Sequence, residues 1–254
     1  MIKASLVKAT AVELIGTFLI VFVSCWSWVA FEMGRVSYLG IGLANGLILA
    51  ACTWAGIAAS GAHFNPVVTL VKTGVRSMSV SRATVYVVAQ LAASLSAALA
   101  VVLVTPFEFQ QKEGKVVGFP EARAGVASLQ VFVAEFVGSA LYMLAFFALV
   151  VDRRAPTNVF GFGLGAVIVG CSVAFGATTG GCVNPIRLFG PHIVCNRFQQ
   201  SWVYWSATVA GGLFAGFYYD FFMLKNESFD FLEEADDAPG NSQAGDPLSL
   251  AASE

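Results

Sequence analysis

The sequence predicts an all-α membrane protein with six transmembrane helices plus two opposed re-entrant half-helices, arranged as an inverted 3+3 repeat. Three observations predict it. The 254 residues are 57% hydrophobic and 12% charged, with mean hydropathy +0.74, whereas a soluble domain carries about 25% charged residues. Charges divide the chain into uncharged runs of membrane-spanning length. Two of those runs contain the same Gly…Asn-Pro interruption in corresponding places. This composition excludes a nucleic-acid binder, a disordered chain and an ordinary cytosolic enzyme.

The runs are 14–31, 36–71, 83–107, 136–151, 155–186 and 198–219. A spanning helix needs about 20 residues. The first, third and sixth each fit one span, and the fourth does if it begins near Gly125, before Glu135. The second and fifth, at 36 and 32 residues, are too long for one span and too short for two. Both contain the break: Ser60-Gly61-Ala62-His63-Phe64-Asn65-Pro66-Val67 in one, Thr179-Gly180-Gly181-Cys182-Val183-Asn184-Pro185-Ile186 in the other. The residue before proline is held extended, and proline suits the first position of a helix. Each long run therefore reads as a span, a return loop and a half-helix beginning at Asn-Pro. Irregular backbone at membrane depth survives only inside protein or beside water, so paired breaks point to a site or a pore.

The repeat reaches further. Glu13-Leu14-Ile15-Gly16-Thr17 matches Glu135-Phe136-Val137-Gly138-Ser139, and each Glu precedes its Asn by 52 and 49 residues. The halves fall at about 8–104 and 125–224 in a single channel-type domain of residues 1–225. Three spans per half make the second half enter from the opposite side, so the half-helices meet near the midplane. The GxxxG pairs Gly42/Gly46, Gly161/Gly165 and Gly212/Gly216 read as helix packing. Gly161-x-Gly163-x-Gly165 lies in an apolar helical run and is no nucleotide loop.

All 14 Lys and Arg lie in residues 1–225 with 8 acids; residues 226–254 hold the other 8 acids and no base. That tail reads as disordered. Six spans put both termini on one side, and the modest excess of Lys and Arg there makes that side cytoplasmic. The five cysteines form no CxxC pair, and the chain implies no metal or other cofactor.

At the breaks, two half-helix N-termini face each other, each carrying roughly half a positive charge. Cations and protons are repelled there, while a neutral polar molecule is not. Asn65 and Asn184 are expected to offer their amides to it. Arg187 costs about 2.5–3.5 kcal/mol at mid-bilayer, which argues for a pore role. Glu13 and Glu135 read as structural acceptors for the return loops, and His63 as a loop tether.

At these residues the chain resembles an aquaporin, of the major intrinsic protein family. The likeness spans about residues 8–224 and includes Ala89-Gln90 and Trp202…Tyr204-Trp205. It implies a pore in each subunit of a homotetramer, no enzyme activity, and water plus small neutral solutes (ammonia, urea, glycerol, hydrogen peroxide) as what passes. It places the protein in a plasma or vacuolar-type membrane. Asn65, Pro66, Val67, Asn184, Pro185 and Ile186 take the central constriction, with Glu13, Glu135, His63 and Gln90 in support. The family's commonest motif is Asn-Pro-Ala, and here the third residues are Val67 and Ile186, whose bulk is expected to narrow the constriction. Counting from the motifs, the outer selectivity filter falls on Asn45, Ser172 (or, one residue off, Cys171), Gly181 and Arg187. Water-selective relatives usually carry an aromatic at the first position and His at the second, so this filter is expected to be wider. A structural, junction-forming role with little transport is the alternative, as is a strictly water-selective pore.

Overall fold

A computed structural model of the chain describes residues 2–106, 117–154 and 159–224. The acidic tail, Lys112 and Lys115 lie outside the described residues. The described elements, in chain order, are α1 (Ile2–Glu32), α2 (Tyr38–Ser60), α3 (Pro66–Gly74), α4 (Val80–Val104), α5 (Ser128–Phe146), α6 (Phe160–Phe175), α7 (Ile186–Cys195) and α8 (Ser201–Tyr218). α5 continues into a π turn, Phe147–Val151, and α8 into another, Tyr219–Leu224. Five helical stretches are long and apolar enough to cross a membrane: Leu6–Glu32, Tyr38–Ser60, Val80–Val104, Ser128–Val151 and Ser201–Leu224. The sixth expected span, α6, has 16 residues, or about 24 Å of rise. It carries four glycines and is prolonged by turns in which Thr178, Thr179 and Gly180 donate to Phe175 O.

Local chemistry sets the boundaries. Ser37 caps α2 by accepting from Gly40 N. The helix stops at Gly61, whose φ of 88° is left-handed, a conformation that glycine adopts without steric cost. Asn65 is extended (φ −153°, ψ 122°) and accepts from Val67 N, with Pro66 opening α3. The sequence therefore starts each half-helix where the Asn side chain and proline meet.

The two halves pack alike and then interlock. α1 lies on α2 and α4, as α5 lies on α6 and α8, while α2 packs against α6 across the centre. There Gly46 and Gly165 touch: a Cβ on either would stand 2.5 Å from the other's carbonyl oxygen. The half-helices cross over, α3 against α8 and α7 against α4. α3 also packs on α4 of its own half, whereas α7 reaches across to α4 and α1.

The loops sort to two ends. At one, Arg154 Nη2 donates to Met223 O and Arg76 shares a hollow with Phe217 and Asp220. At the other, Arg123 N donates to Thr178 O and Arg197 lies 3.9 Å from Glu121.

Candidate functional site

The return loops are near copies. Gly61, Ala62 and Phe64 have φ of 88°, 50° and 46°; Gly180, Gly181 and Val183 have 84°, 59° and 58°. Left-handed Phe64 and Val183 are strained conformations for side-chain-bearing residues, and the same device holds both. Glu13, fully buried, accepts from Ser60 Oγ (2.7 Å), His63 N (2.9 Å), Phe64 N (2.7 Å) and Gln90 Nε2 (2.9 Å). Glu135, also fully buried, accepts from Thr179 Oγ1 (2.6 Å), Cys182 N (3.0 Å) and Val183 N (2.8 Å). A second pair repeats the pattern: Tyr86 and Tyr204 donate their hydroxyls to Ser60 O and Thr179 O. His63 Nδ1 lies 3.0 Å from Thr69 Oγ1, tying the first loop to its own half-helix.

The loops bring the two half-helix N-termini together. Asn184 Nδ2 donates to Phe64 O across the junction at 2.9 Å, while its Oδ1 accepts from Ile186 N. Asn65 Oδ1 accepts from Val67 N, but Asn65 Nδ2 is buried without a protein partner. The two asparagines are thus unequal: one amide is spent on the opposite loop, the other is free.

Beside the junction is a narrow cavity lined by Ile20, Asn45, Leu49, Tyr142, Ile168, Val183, Asn184 and Arg187. The space open to the centre of a water-sized sphere is ≈ 20 Å³, about enough for one water. Arg187 is 3% exposed. Its Nη1 donates to Gly181 O and Cys182 O and its Nε to Ser24 Oγ, while Nη2 has no protein partner. Asn45 Nδ2 is used on Ile41 O, and its Oδ1 is unpartnered. Ser172 Oγ is likewise buried and unpartnered. Buried polar groups are nearly always satisfied, so the free atoms on Asn45 and Arg187, both in the cavity lining, suit a polar molecule in transit. Asn65 and Ser172 lie outside that lining, and the Ser172 side chain stands over Gly42 on α2.

Of the residues expected at the passage, Asn45, Asn184 and Arg187 line this cavity, whereas Asn65, Val67, Ser172, Gly181 and Ile186 lie outside its lining. Val67 does not line the cavity; a Cβ on Gly212 would stand 2.2 Å from Val67 Cγ1, so this side chain fills the hollow that Gly212 leaves on α8. Ile186 is fully buried among Val21, Cys25, Ala97, Ala98, Val101 and Val117, and Ser94 Oγ donates to its carbonyl. A Cβ on Gly181 would meet Cys171 O at 2.9 Å and Ser172 Cα at 3.2 Å. Its smallness therefore lets the loop lie against α6, and its contribution to the site is the carbonyl that holds Arg187. Pro66 and Pro185 are buried at the half-helix starts.

Sequence reasoning missed Ser24, Ile20, Tyr142, Leu49 and Ile168. The repeat itself contains a signal for some of them. Ile20 and Tyr142 each lie seven residues after a buried Glu, one helix face and two turns on. Leu49 and Ile168 occupy matching places on α2 and α6.

The family model described as Major intrinsic protein matches residues 1–219. Aquaporin TIP4-4 of Zea mays is 34% identical over 227 residues, covering 85% of this chain and 87% of its own. The lens fiber major intrinsic protein of Lithobates pipiens is 29% identical, covering 96% of this chain and 94% of its own. The crystal structure of the aquaglyceroporin from Plasmodium falciparum aligns with a TM-score of 0.77 at 21% identity, over 86% of this chain and 97% of that one; at that identity it speaks for the fold. The interlocked half-helices, the paired glutamates and the family match lead to one conclusion: the chain belongs to the major intrinsic protein family, whose members are membrane channels and not enzymes.

Proposed function

We propose that this chain is a passive water channel that excludes protons and ions. The carrying observation is the junction, where the α3 and α7 N-termini face each other, the Asn65 amide is unpartnered, and Asn184 and Arg187 line a single-water cavity. Two helix N-termini and Arg187 make the potential there positive, which repels cations. A water that accepts from Asn65 Nδ2 turns its hydrogens away from the junction, and the chain of donors and acceptors that relays protons is interrupted. This is the barrier described for aquaporin-type pores, applied to these residues. The similarity to aquaporins over most of both chains supports the same reading.

The reading includes a homotetramer with one pore per subunit, both termini cytoplasmic, and a plasma or vacuolar-type membrane as its place. A second reading, passage of ammonia, urea, glycerol or hydrogen peroxide, rests on Asn45 Oδ1, unpartnered in the cavity lining, which can replace part of a solute's hydration. The test is swelling of proteoliposomes with water, urea, glycerol and ammonia compared side by side. Water flux above protein-free vesicles is expected. If urea or ammonia also passes, Asn45→Phe is expected to cut that flux more than the water flux. No increase in any permeability contradicts the channel reading and favours a structural, junctional role.

A further inference from the structure

A second, polar cavity of about 350 Å³ opens where α3 ends and α4 begins, lined by Ser60, Gly61, His63, Lys72, Ser77, Met78, Ser79 and Arg82. Among the described residues its lining holds two cationic side chains and three hydroxyls but no carboxylate. Lys72 has no hydrogen-bond or ion-pair partner among the described residues; Asp220, on the π turn after α8, attracts it from outside the lining. Arg82 rests on Tyr86, its Nη2 2.9 Å from the hydroxyl and its guanidinium 5.3 Å from the ring centre. This leaves most of its five N–H groups uncommitted. α4, 25 residues long, begins here with its positive end, and Ser79 Oγ meets Arg82 N and Ser81 Oγ, each at 3.4 Å.

A deeper group also faces the cavity. His63 is 95% buried, being 5% exposed. Its Nδ1 is engaged with Thr69, while the ring edge bearing Cδ2 and Nε2 lies beside Gly61, 3.5 Å from where a Cβ would stand. Nε2 has no hydrogen-bond partner within the described chain. Thr69 Oγ1 also lies 3.2 Å from Asn65 O and has one hydrogen to give; in the tautomer where that hydrogen goes to Nδ1, Nε2–H becomes a donor into the cavity. Ser60 Oγ and Ser77 Oγ spend their hydrogens on Glu13 and on Lys72 O, so the donors facing the cup are two cations on different elements, an imidazole edge and a helix N-terminus. A tetrahedral oxyanion uses such a cup better than chloride does, because it accepts from several directions at once.

We propose that this cavity binds a phosphoryl anion, free or carried on a lipid headgroup, and that its occupancy obstructs the adjoining end of the channel. Ser60, Gly61 and His63 belong to the segment that leads into Asn65 at the junction, so an anion seated on them sits on the loop that shapes that entrance. The obstruction rests on the channel reading above; the binding does not.

The experiment therefore has two readouts. The purified full chain in detergent is heated in phosphate or in chloride of equal ionic strength. A millimolar site is expected to raise the melting temperature by about 4 °C at about 10 mM phosphate. Lys72→Gln and Arg82→Gln are expected to lose the shift, and Lys72→Arg and Arg82→Lys, which keep the charge, to retain it. No shift in the unsubstituted protein, or an equal shift in both Gln variants, overturns the site. Water flux is then measured in phosphatidylcholine vesicles with free phosphate, and in vesicles containing a small fraction of phosphoinositide. Slowing of about twofold or more by free phosphate assigns the free ion, and slowing by phosphoinositide alone assigns the headgroup. An unchanged flux with the thermal shift intact overturns the obstruction. A flux equal to that of protein-free vesicles in every buffer defeats the channel reading while the thermal arm still decides the site.

Discussion

The buried carboxylates of Glu13 and Glu135 are the residues on which the site's backbone depends. Each takes the N–H groups of two loop residues, one of them left-handed, plus a hydroxyl from the segment leading into the loop, Ser60 at the end of α2 or Thr179 in the turns after α6. Removing the acceptor leaves several buried donors unsatisfied, at about 1–3 kcal/mol each. Glu135→Ala is accordingly expected to lower stability by roughly 2–4 kcal/mol and to abolish water flux, read by thermal melting and vesicle shrinkage. Glu135→Gln keeps one acceptor oxygen and should fall between. Arg187 differs: its Nε and Nη1 are fixed by Ser24, Gly181 and Cys182 while Nη2 is free. Arg187→Ala removes positive potential beside the junction, so cation leakage is expected to rise before water flux falls. Ser24→Ala, which frees Nε, is expected to produce a weaker version of the same change.

At the scale of elements, the return loops and half-helices were legible because Asn-Pro and the upstream glycines are local chemistry, and because the pattern occurs twice. Where the side chains after each Asn-Pro point was not legible, since that is decided by what lies across the interface. Val67 is directed into α8 because Gly212 has no side chain there, and nothing near Val67 in sequence says so. Gly212→Ala is expected to destabilise by overpacking. In Val67→Ala/Gly212→Ala the added methyl occupies space the valine vacates, and a coupling of about 1 kcal/mol or more is expected from the double-mutant cycle. Val67→Ala alone leaves a packing defect and is expected to leave water flux unchanged or lower. The unequal asparagine amides were hidden for the same reason: Asn184 meets Phe64 across 120 residues of chain. A separate element contact joins the loop after α5 to the end of α8. Arg154, Tyr219 and the Arg154 backbone N–H all donate to Asp152, and foremost the Arg154 hydrogen bonds hold the Asp152 carboxyl well below the usual carboxylate range. A depressed acid stabilises the fold above its unfolded pKa of about 3.9, and the contribution disappears as pH falls through the folded value. The melting-temperature gap between the unsubstituted protein and Asp152→Asn is therefore expected to be constant above about pH 5 and to shrink below about pH 4.

At the scale of the whole molecule, the two halves share their half-helices, so each is completed by the other. The long apolar runs made the spans readable, and the glycine-rich α6 fell short of the expected length because its helix begins only at Phe160. The bundle's ends are chemically distinct, one carrying Lys72, Arg76, Arg82, Arg153 and Arg154. With that end in the cytoplasm, tags at residues 1 and 254 are both expected to resist external protease in intact cells; cleavage of either contradicts the orientation. The central claim is that opposed helix N-termini with one free asparagine amide let water through and stop charge. It is tested most directly by recording osmotic shrinkage and internal pH in the same proteoliposomes under an imposed proton gradient. The account predicts water permeability several-fold above protein-free vesicles, with proton and Na⁺ leakage equal to theirs. A proton or Na⁺ flux that rises in step with the water flux would contradict it.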